Sequence, residues 1–264
     1  MANVGYEPIF KGALPEGWQV RWSLIRKFVN FWCMPEGEPL ADRSQEKTPL
    51  ILQAESLHEG NVSPMIRQWL ALIEEASVRN SPQIRDCCLI EPIENHFDHP
   101  AVRYATTLLM QAEGDIFWTV ANEHFAAEDP PVDVYQLFDE ESSPYFVRYG
   151  SVSEFALAYL CSYNEYAKRT NEWFVAHGKG EDAQEAKAWF EHSLVLESQN
   201  GRPYRFLELL ERRDAVAFVS DSGRFEVSLF CDPDELKMPP FLVAAMQEHR
   251  KAREEFRAML ERGE

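Results

Sequence analysis

The stretch EGDIFWTVANEHFAAEDPPVDVYQLFDEESSPYFVRYGSVSEFALAYL, Glu113 to Leu160, carries the clearest structural signals in the chain. Glu113-Gly114-Asp115 is a turn, and the apolar run Ile116-Phe117-Trp118-Thr119-Val120 follows it. A loop through Glu128-Asp129-Pro130-Pro131 leads to a second run, Val132 to Phe138. An acidic turn, Asp139 to Pro144, separates that run from a third, Tyr145 to Tyr149. Aromatic and β-branched runs bounded by Gly, Pro, Asp and Ser predict an antiparallel meander. Beyond Gly150, Ser151 and Glu154 stand at capping-box spacing, where each side chain satisfies an amide that the first helical turn leaves orphaned. The segment therefore predicts strand, strand, strand, helix.

Toward the N-terminus, Tyr104 to Met110 is a further apolar run with poor alternation, as expected of a strand covered on both faces. Residues 83–94 read as a weak extended segment. Ser63-Pro64 marks a helix start, with Ser63 as N-cap and Pro64 in the first turn, and the pattern continues to about Val78. Thr48 to Gly60 is ambiguous, and Met34 to Pro49 reads as a loop. From Trp18 to Cys33, Val20, Leu24, Ile25, Phe28, Val29 and Trp32 recur every three or four residues, giving a helix with one buried stripe. Residues 1–17, rich in Gly and Pro, read as a loose lead-in.

Toward the C-terminus the helix begun at Val152 is expected to run to about His177. Gly178-Lys179-Gly180 then breaks the chain. Asp182 to Leu196 reads as an amphipathic helix, and Pro203 to Arg213 as a short one. Ala215–Val219 and Arg224–Phe230 alternate around Ser220-Asp221-Ser222-Gly223, a hairpin signal. Pro239-Pro240 opens a last helix that becomes highly charged after Gln247. The expected fold is α+β: an antiparallel sheet meander packed by helices, with a C-terminal helix–hairpin–helix extension. The expected division is a lead-in over 1–17, a domain over 18–177 and the extension over 178–264.

A formal charge of −18 over 264 residues disfavours nucleic acid and anionic membranes as direct partners. The first thirty residues lack a basic start followed by an apolar core, so no secretory leader is expected. No apolar run approaches the roughly 20 residues of a bilayer span. Five scattered cysteines (Cys33, Cys87, Cys88, Cys161, Cys231) fit a reducing cytoplasm, mostly as small core residues. Charge is unevenly spread. Between Asp115 and Gly150 the acids Asp115, Glu123, Glu128, Asp129, Asp133, Asp139, Glu140 and Glu141 face one base, Arg148. Like charges so crowded repel unless water or a basic partner screens them, so these acids, with Trp118 among them, are the candidate partner-binding residues.

Chemistry is harder to find. His96 and His99, with His124 as a third ligand, have metal-like spacing, but Asp98-His99-Pro100 reads as a turn that would splay the imidazoles. Surface or capping histidines are the favoured reading, and no metal or other cofactor is expected. Glu128-Asp129 and Glu140-Glu141 are paired acids on exposed turns, whereas catalytic pairs need one member buried and shifted. No GxSxG elbow or Gly-rich phosphate loop occurs. The aromatics Trp118, Tyr135, Phe138, Tyr145 and Tyr149 are expected mostly in the core, with one or two left to anchor protein contacts. No catalytic residue is expected.

The order of a Pro-started helix bearing Trp69, an apolar strand running into Trp118-Thr119-Val120, then Asp129-Pro130-Pro131-Val132 and a closing Ser151-to-Leu160 segment, matching at Ser151, Glu154, Phe155 and Leu157, resembles the SUKH superfamily. The resemblance spans about residues 18–162, its specific part 113–160. Where members often carry Glu-Asn-Gln-Gly before the Trp strand, this chain has Ala112-Glu113-Gly114-Asp115. The resemblance implies an α+β fold without catalytic residues. It also implies a cytoplasmic bacterial immunity protein that neutralises a cognate toxin by direct binding, the acidic surface suiting a basic toxin such as a nuclease. A scaffold or regulatory module of the same fold is the alternative, and a metal-dependent hydrolase using His96, His99 and His124 the second.

Overall fold

The computed structural model describes residues 8–33, 41–80, 90–93, 104–110, 116–136, 145–162, 171–195, 208–220 and 222–262. Along the chain come β1 (Gly12–Ala13), α1 (Trp18–Phe28) with a π-helical turn to Cys33, α2 (Pro49–Leu57), α3 (Pro64–Asn80) and β2 (Glu91–Pro92). Next are β3 (Ala105–Met110), β4 (Ile116–Ala121), β5 (Val132–Gln136), β6 (Tyr145–Tyr149), α4 (Val152–Ser162) and β7 (Glu172–His177). The chain closes with α5 (Glu181–Trp189), β8 (His192–Val195), β9 (Glu208–Arg212), β10 (Ala215–Val219), β11 (Arg224–Leu229) and α6 (Pro240–Arg262). The fold is α+β, as the sequence predicts. It divides into two compact units, Glu16–Tyr159 and a second built from Met1–Pro15 with Leu160–Glu264.

In the first unit β2 to β6 form one five-stranded antiparallel meander in sequence order. The register places Phe117 opposite Tyr135 and Trp118 opposite Val134, so neighbours on β4 turn to opposite faces. On one face Phe117 and Tyr135 cluster with Ile93 and Ala105. On the other, Trp118 lies 5.7 Å from Tyr159 and 6.2 Å from Phe155 on α4, while fully buried Trp69 of α3 sits 5.0 Å from Phe155. The Trp69–Phe155 and Trp118–Tyr159 pairs are edge-to-face, and rings so placed add to the area they remove from water. Ser63 caps α3, its hydroxyl accepting the Ile66 amide at 3.1 Å. The ambiguous Thr48–Gly60 segment is helical over Pro49–Leu57, with Pro49 pre-set in the first turn.

In the second unit the sheet order is β1-β8-β9-β10-β11-β7, with β1 parallel to β8 and the remaining pairs antiparallel. One face carries Phe174, Leu210, Ala217, Phe225 and Val227, buried against Ala186 and Phe190 near α5 and against Leu242 and Met246 of α6. The β10–β11 turn needs glycine: Gly223 has φ +77°, and a Cβ there would stand 2.5 Å from the Gly178 carbonyl oxygen.

Several expectations fail in this unit. The helix begun at Val152 ends at Ser162, and Glu172–His177, expected as its continuation, is a strand paired with β11. Its period of two, with Phe174 and Ala176 inward, decides against a helix. The helix expected over Asp182–Leu196 stops at Trp189, and Leu194 belongs to β8. Glu208–Arg212, expected within a short helix, is β9, a central strand bonded on both sides. The lead-in is not loose over 8–15: Phe10 is fully buried, Gly12 and Ala13 pair with Leu194 and Val195, and the Ile9 and Phe10 amides donate to the buried Glu211 carboxylate at 2.7 and 2.8 Å. The division expected at 177/178 therefore falls near 159/160, and the extension over 178–264 is the larger part of a sheet unit that also includes the start of the chain.

Candidate partner-binding face

The β4–β5 loop, Asn122 to Pro131, holds three of the acids the sequence singled out, Glu123, Glu128 and Asp129, and the first unit fixes it from three sides. Ser63, having capped α3, donates its hydroxyl to the Glu128 carbonyl at 3.2 Å, and its amide donates to the Phe125 carbonyl at 3.0 Å. From α1, Trp18 Nε1 and Gln19 Nε2 donate to Glu128 Oε1 at 2.7 and 3.1 Å. At the α4 N-terminus, the Val152 amide donates to the Pro130 carbonyl at 2.8 Å. A loop bonded to three helices is preorganised, so a partner would spend little to order it.

Asp129 sits at the centre of a polar network. Its Oδ2 accepts from Arg21 Nη2 at 2.9 Å and from Ser153 Oγ at 2.6 Å, while Oδ1 accepts the Ser153 amide at 3.0 Å. Arg21 Nε in turn donates to Ser153 Oγ at 2.6 Å. A carboxylate at a helix N-terminus, opposite a guanidinium, is held by charge, dipole and hydrogen bonds together. The Asp129 side chain is only 9% exposed. Next to it Ser151 Oγ accepts the Glu154 amide at 3.2 Å, and the Glu154 carboxylate accepts the Gly150 amide at 3.0 Å. This is the expected capping box with its return bond one residue early. A serine beside an aspartate invites a nucleophile–base reading, but Ser153 is fully buried and offers nothing to a substrate.

The nine candidate residues have different fates. Asp115, Asp139, Glu140 and Glu141 lie outside the described residues, as do His96 and His99. Asp129 and Asp133 are turned inward. Asp133 is buried and accepts from Arg148 Nε at 2.6 Å and Nη2 at 3.0 Å, a two-point grip that raises the arginine's pKa. Burial, with the Asp133 charge behind it, pushes the neighbouring Tyr135 phenol up to about 12, so it stays protonated. Trp118 is half-buried among the α4 rings. Glu123 and Glu128 do face solvent, the Glu123 side chain 81% exposed with its Oε1 3.5 Å from His124 Nε2. Among the described residues no three His, Cys, Asp or Glu side chains are placed to hold a metal ion.

Beside the loop the structure adds residues that the sequence reading passed over. His58, at the end of α2, stacks on Phe125 with ring centroids 3.6 Å apart and planes 10° off parallel. Its Nε2 lies 2.8 Å from Thr106 Oγ1, which donates to Asn122 Oδ1 at 2.9 Å, so Nε2 carries the hydrogen in this chain. Burial lowers the His58 pKa. Tyr104, whose carbonyl accepts the Asn122 amide at 2.8 Å, is 72% exposed and has φ +68°. A tyrosine held left-handed is strained, and this one presents an exposed amphipathic ring from a backbone bonded to the start of the loop. Nothing in the local sequence marks that φ.

Comparison of the chain with protein-family models, characterised proteins and solved structures finds no match to any of them. No helix among the described residues is long and apolar enough to cross a membrane.

Proposed function

We propose that this protein is a non-catalytic binding protein that docks a basic partner protein on the β4–β5 loop face. The observation that carries this reading is a preorganised acidic loop beside an exposed aromatic: Glu123 and Glu128 face solvent on a loop bonded to α1, α3 and α4, next to Tyr104. Carboxylates at the rim steer a basic partner and speed its association, while a tyrosine offers buried area at low entropic cost. Within this reading Asp129, paired with Arg21 and bonded to the start of α4, holds the face in shape. The resemblance of Trp118–Val120, Asp129–Val132 and Ser151–Leu157 to the SUKH superfamily supports the narrower proposal of a cytoplasmic immunity protein, with a toxin such as a nuclease as the partner.

Co-expression with a toxin encoded beside the gene tests this directly. Rescue of growth is expected, and Glu123→Lys should abolish rescue at low toxin affinity while leaving the melting temperature unchanged. Unchanged toxin binding by both Glu123→Lys and the triple reversal of Asp139, Glu140 and Glu141 would remove the acidic face from consideration.

A further inference from the structure

The last helix, α6, is amphipathic along its whole length, yet its two halves meet different surroundings. In the first half Leu242 and Met246 are buried against the six-stranded sheet. At the sheet margin Arg250 Nε donates to Glu172 at 2.8 Å, and the Arg253 guanidinium lies 3.8 Å from the same carboxylate. Beyond that point the apolar stripe continues through Ala252, Phe256, Met259 and Leu260, spaced for one helix face. Phe256 and Leu260 are each 58% exposed, and every residue from Lys251 to Arg257 is open to solvent.

The two edges of this stripe carry opposite charge. Glu248 and Glu255, two turns apart, lie along one edge. Arg250, Arg253 and Arg257, at spacings of three and four, lie along the other. Geometry then selects the partner. A second identical helix running parallel about a two-fold places the acidic edge of each copy on the basic edge of the other, twice over. An antiparallel copy would set like edges together. A general acidic or basic partner would satisfy one edge and repel the other.

We propose that the distal half of α6 is a homodimerisation surface, joining two copies of this chain through a parallel pairing of Phe256, Met259 and Leu260. Three turns bury less than the roughly 800 Å² per partner of a standard interface, so the association is weak and concentration-dependent. It is independent of the partner proposed for the β4–β5 loop.

Sedimentation of the full chain across a concentration series reaching the millimolar range tests it. Wild type shifts from monomer to dimer, and raised salt weakens the dimer because its edges attract. Phe256→Glu, an exposed position where helix content and melting temperature should hold, weakens the dimer at least about tenfold. Mixing Glu248→Lys/Glu255→Lys with Arg253→Glu/Arg257→Glu yields a heterodimer, while each alone is monomeric. A wild type that stays monomeric throughout would overturn the proposal and assign the stripe to another occupant. A dimer indifferent to Phe256→Glu, or strengthened by salt, would equally overturn it.

Discussion

Replacing Asp129 separates two accounts of the acidic loop, because the structure makes it an internal strut and charge counting makes it a docking residue. Asp129→Ala removes the acceptor for the Ser153 amide, for Ser153 Oγ and for Arg21. Ser153 Oγ can turn to Ser151 Oγ, already 3.1 Å away. The Ser153 amide has no such recourse; the guanidinium keeps Ser153 Oγ at 2.6 Å and Ser151 Oγ at 3.4 Å but loses its counter-charge, with the Arg21 side chain only 13% exposed. Losing one partner of a largely buried pair costs about 3–5 kcal/mol. Partial water access to the α4 N-terminus puts the expectation at the lower end, about 3–4 kcal/mol. Asp129→Asn keeps an oxygen for the amide and loses the charge, so it should cost about half as much. Urea unfolding supplies the free energies, and hydrogen exchange shows whether the loss is local to the first turn of α4. A double-mutant cycle with Arg21→Ala should give a coupling above about 1 kcal/mol. A cost below about 1 kcal/mol for Asp129→Ala, with no coupling to Arg21, would refute the strut and return Asp129 to the binding surface.

Other expectations follow from the same structure. Because burial lowers the folded His58 pKa below its unfolded value of 6.5, the unfolded chain binds more protons in that window, and stability should fall as pH drops through 6.5. His58→Gln should flatten the 7.5-to-5.5 segment, about one unit on each side of that value, of a melting-temperature profile, and an unchanged slope would rule out His58 as its source. Tyr104→Asn should stabilise the fold by about 0.5–1 kcal/mol, since Asn tolerates a positive φ, yet weaken partner binding; calorimetry and titration read the two effects separately. Glu211→Ala strips the Ile9 and Phe10 amides of their acceptor and should cost about 2–4 kcal/mol, with protease cleavage appearing near residue 10.

Strands β4, β5 and β6 were legible because each run is short, aromatic and fenced by turn residues, and their partners are sequence neighbours. The capped starts at Ser63 and Ser151 were legible for the same reason: the bonds that make a cap span three residues. Glu208-Leu209-Leu210-Glu211-Arg212 is the opposite case. Its residues favour helix intrinsically, and only pairing with β8 and β10 makes it a strand. A strand so placed hides Glu211 among buried neighbours, which defeats any reading by hydrophobic period. The carboxylate is tolerable there because two amides from the start of the chain, some two hundred residues away, come to it. No local window contains both partners.

The same logic bears on the acidic surface. Counting charges between Asp115 and Gly150 gives eight acids against one base, but a window in sequence is not a region in space. Asp129 is neutralised by Arg21, which lies outside the window, and Asp133 by Arg148 inside it. The Arg21–Asp129 pair is shielded, and the buried Asp133 carboxylate is capped by a half-exposed Arg148, so a partner gains little by approaching either carboxylate. Among the described acids the field a partner meets comes instead from Glu123 and Glu128, whose loop the Arg21–Asp129 pair and Ser63 hold in place. Docking specificity at such a face therefore depends on residues that never touch the partner. Substitutions at Arg21 or Ser153 should lower affinity only as far as they loosen the loop, whereas Glu123→Lys should lower the association rate with the fold intact. If Arg21→Gln slowed association at unchanged stability, this division between holding and steering residues would fail.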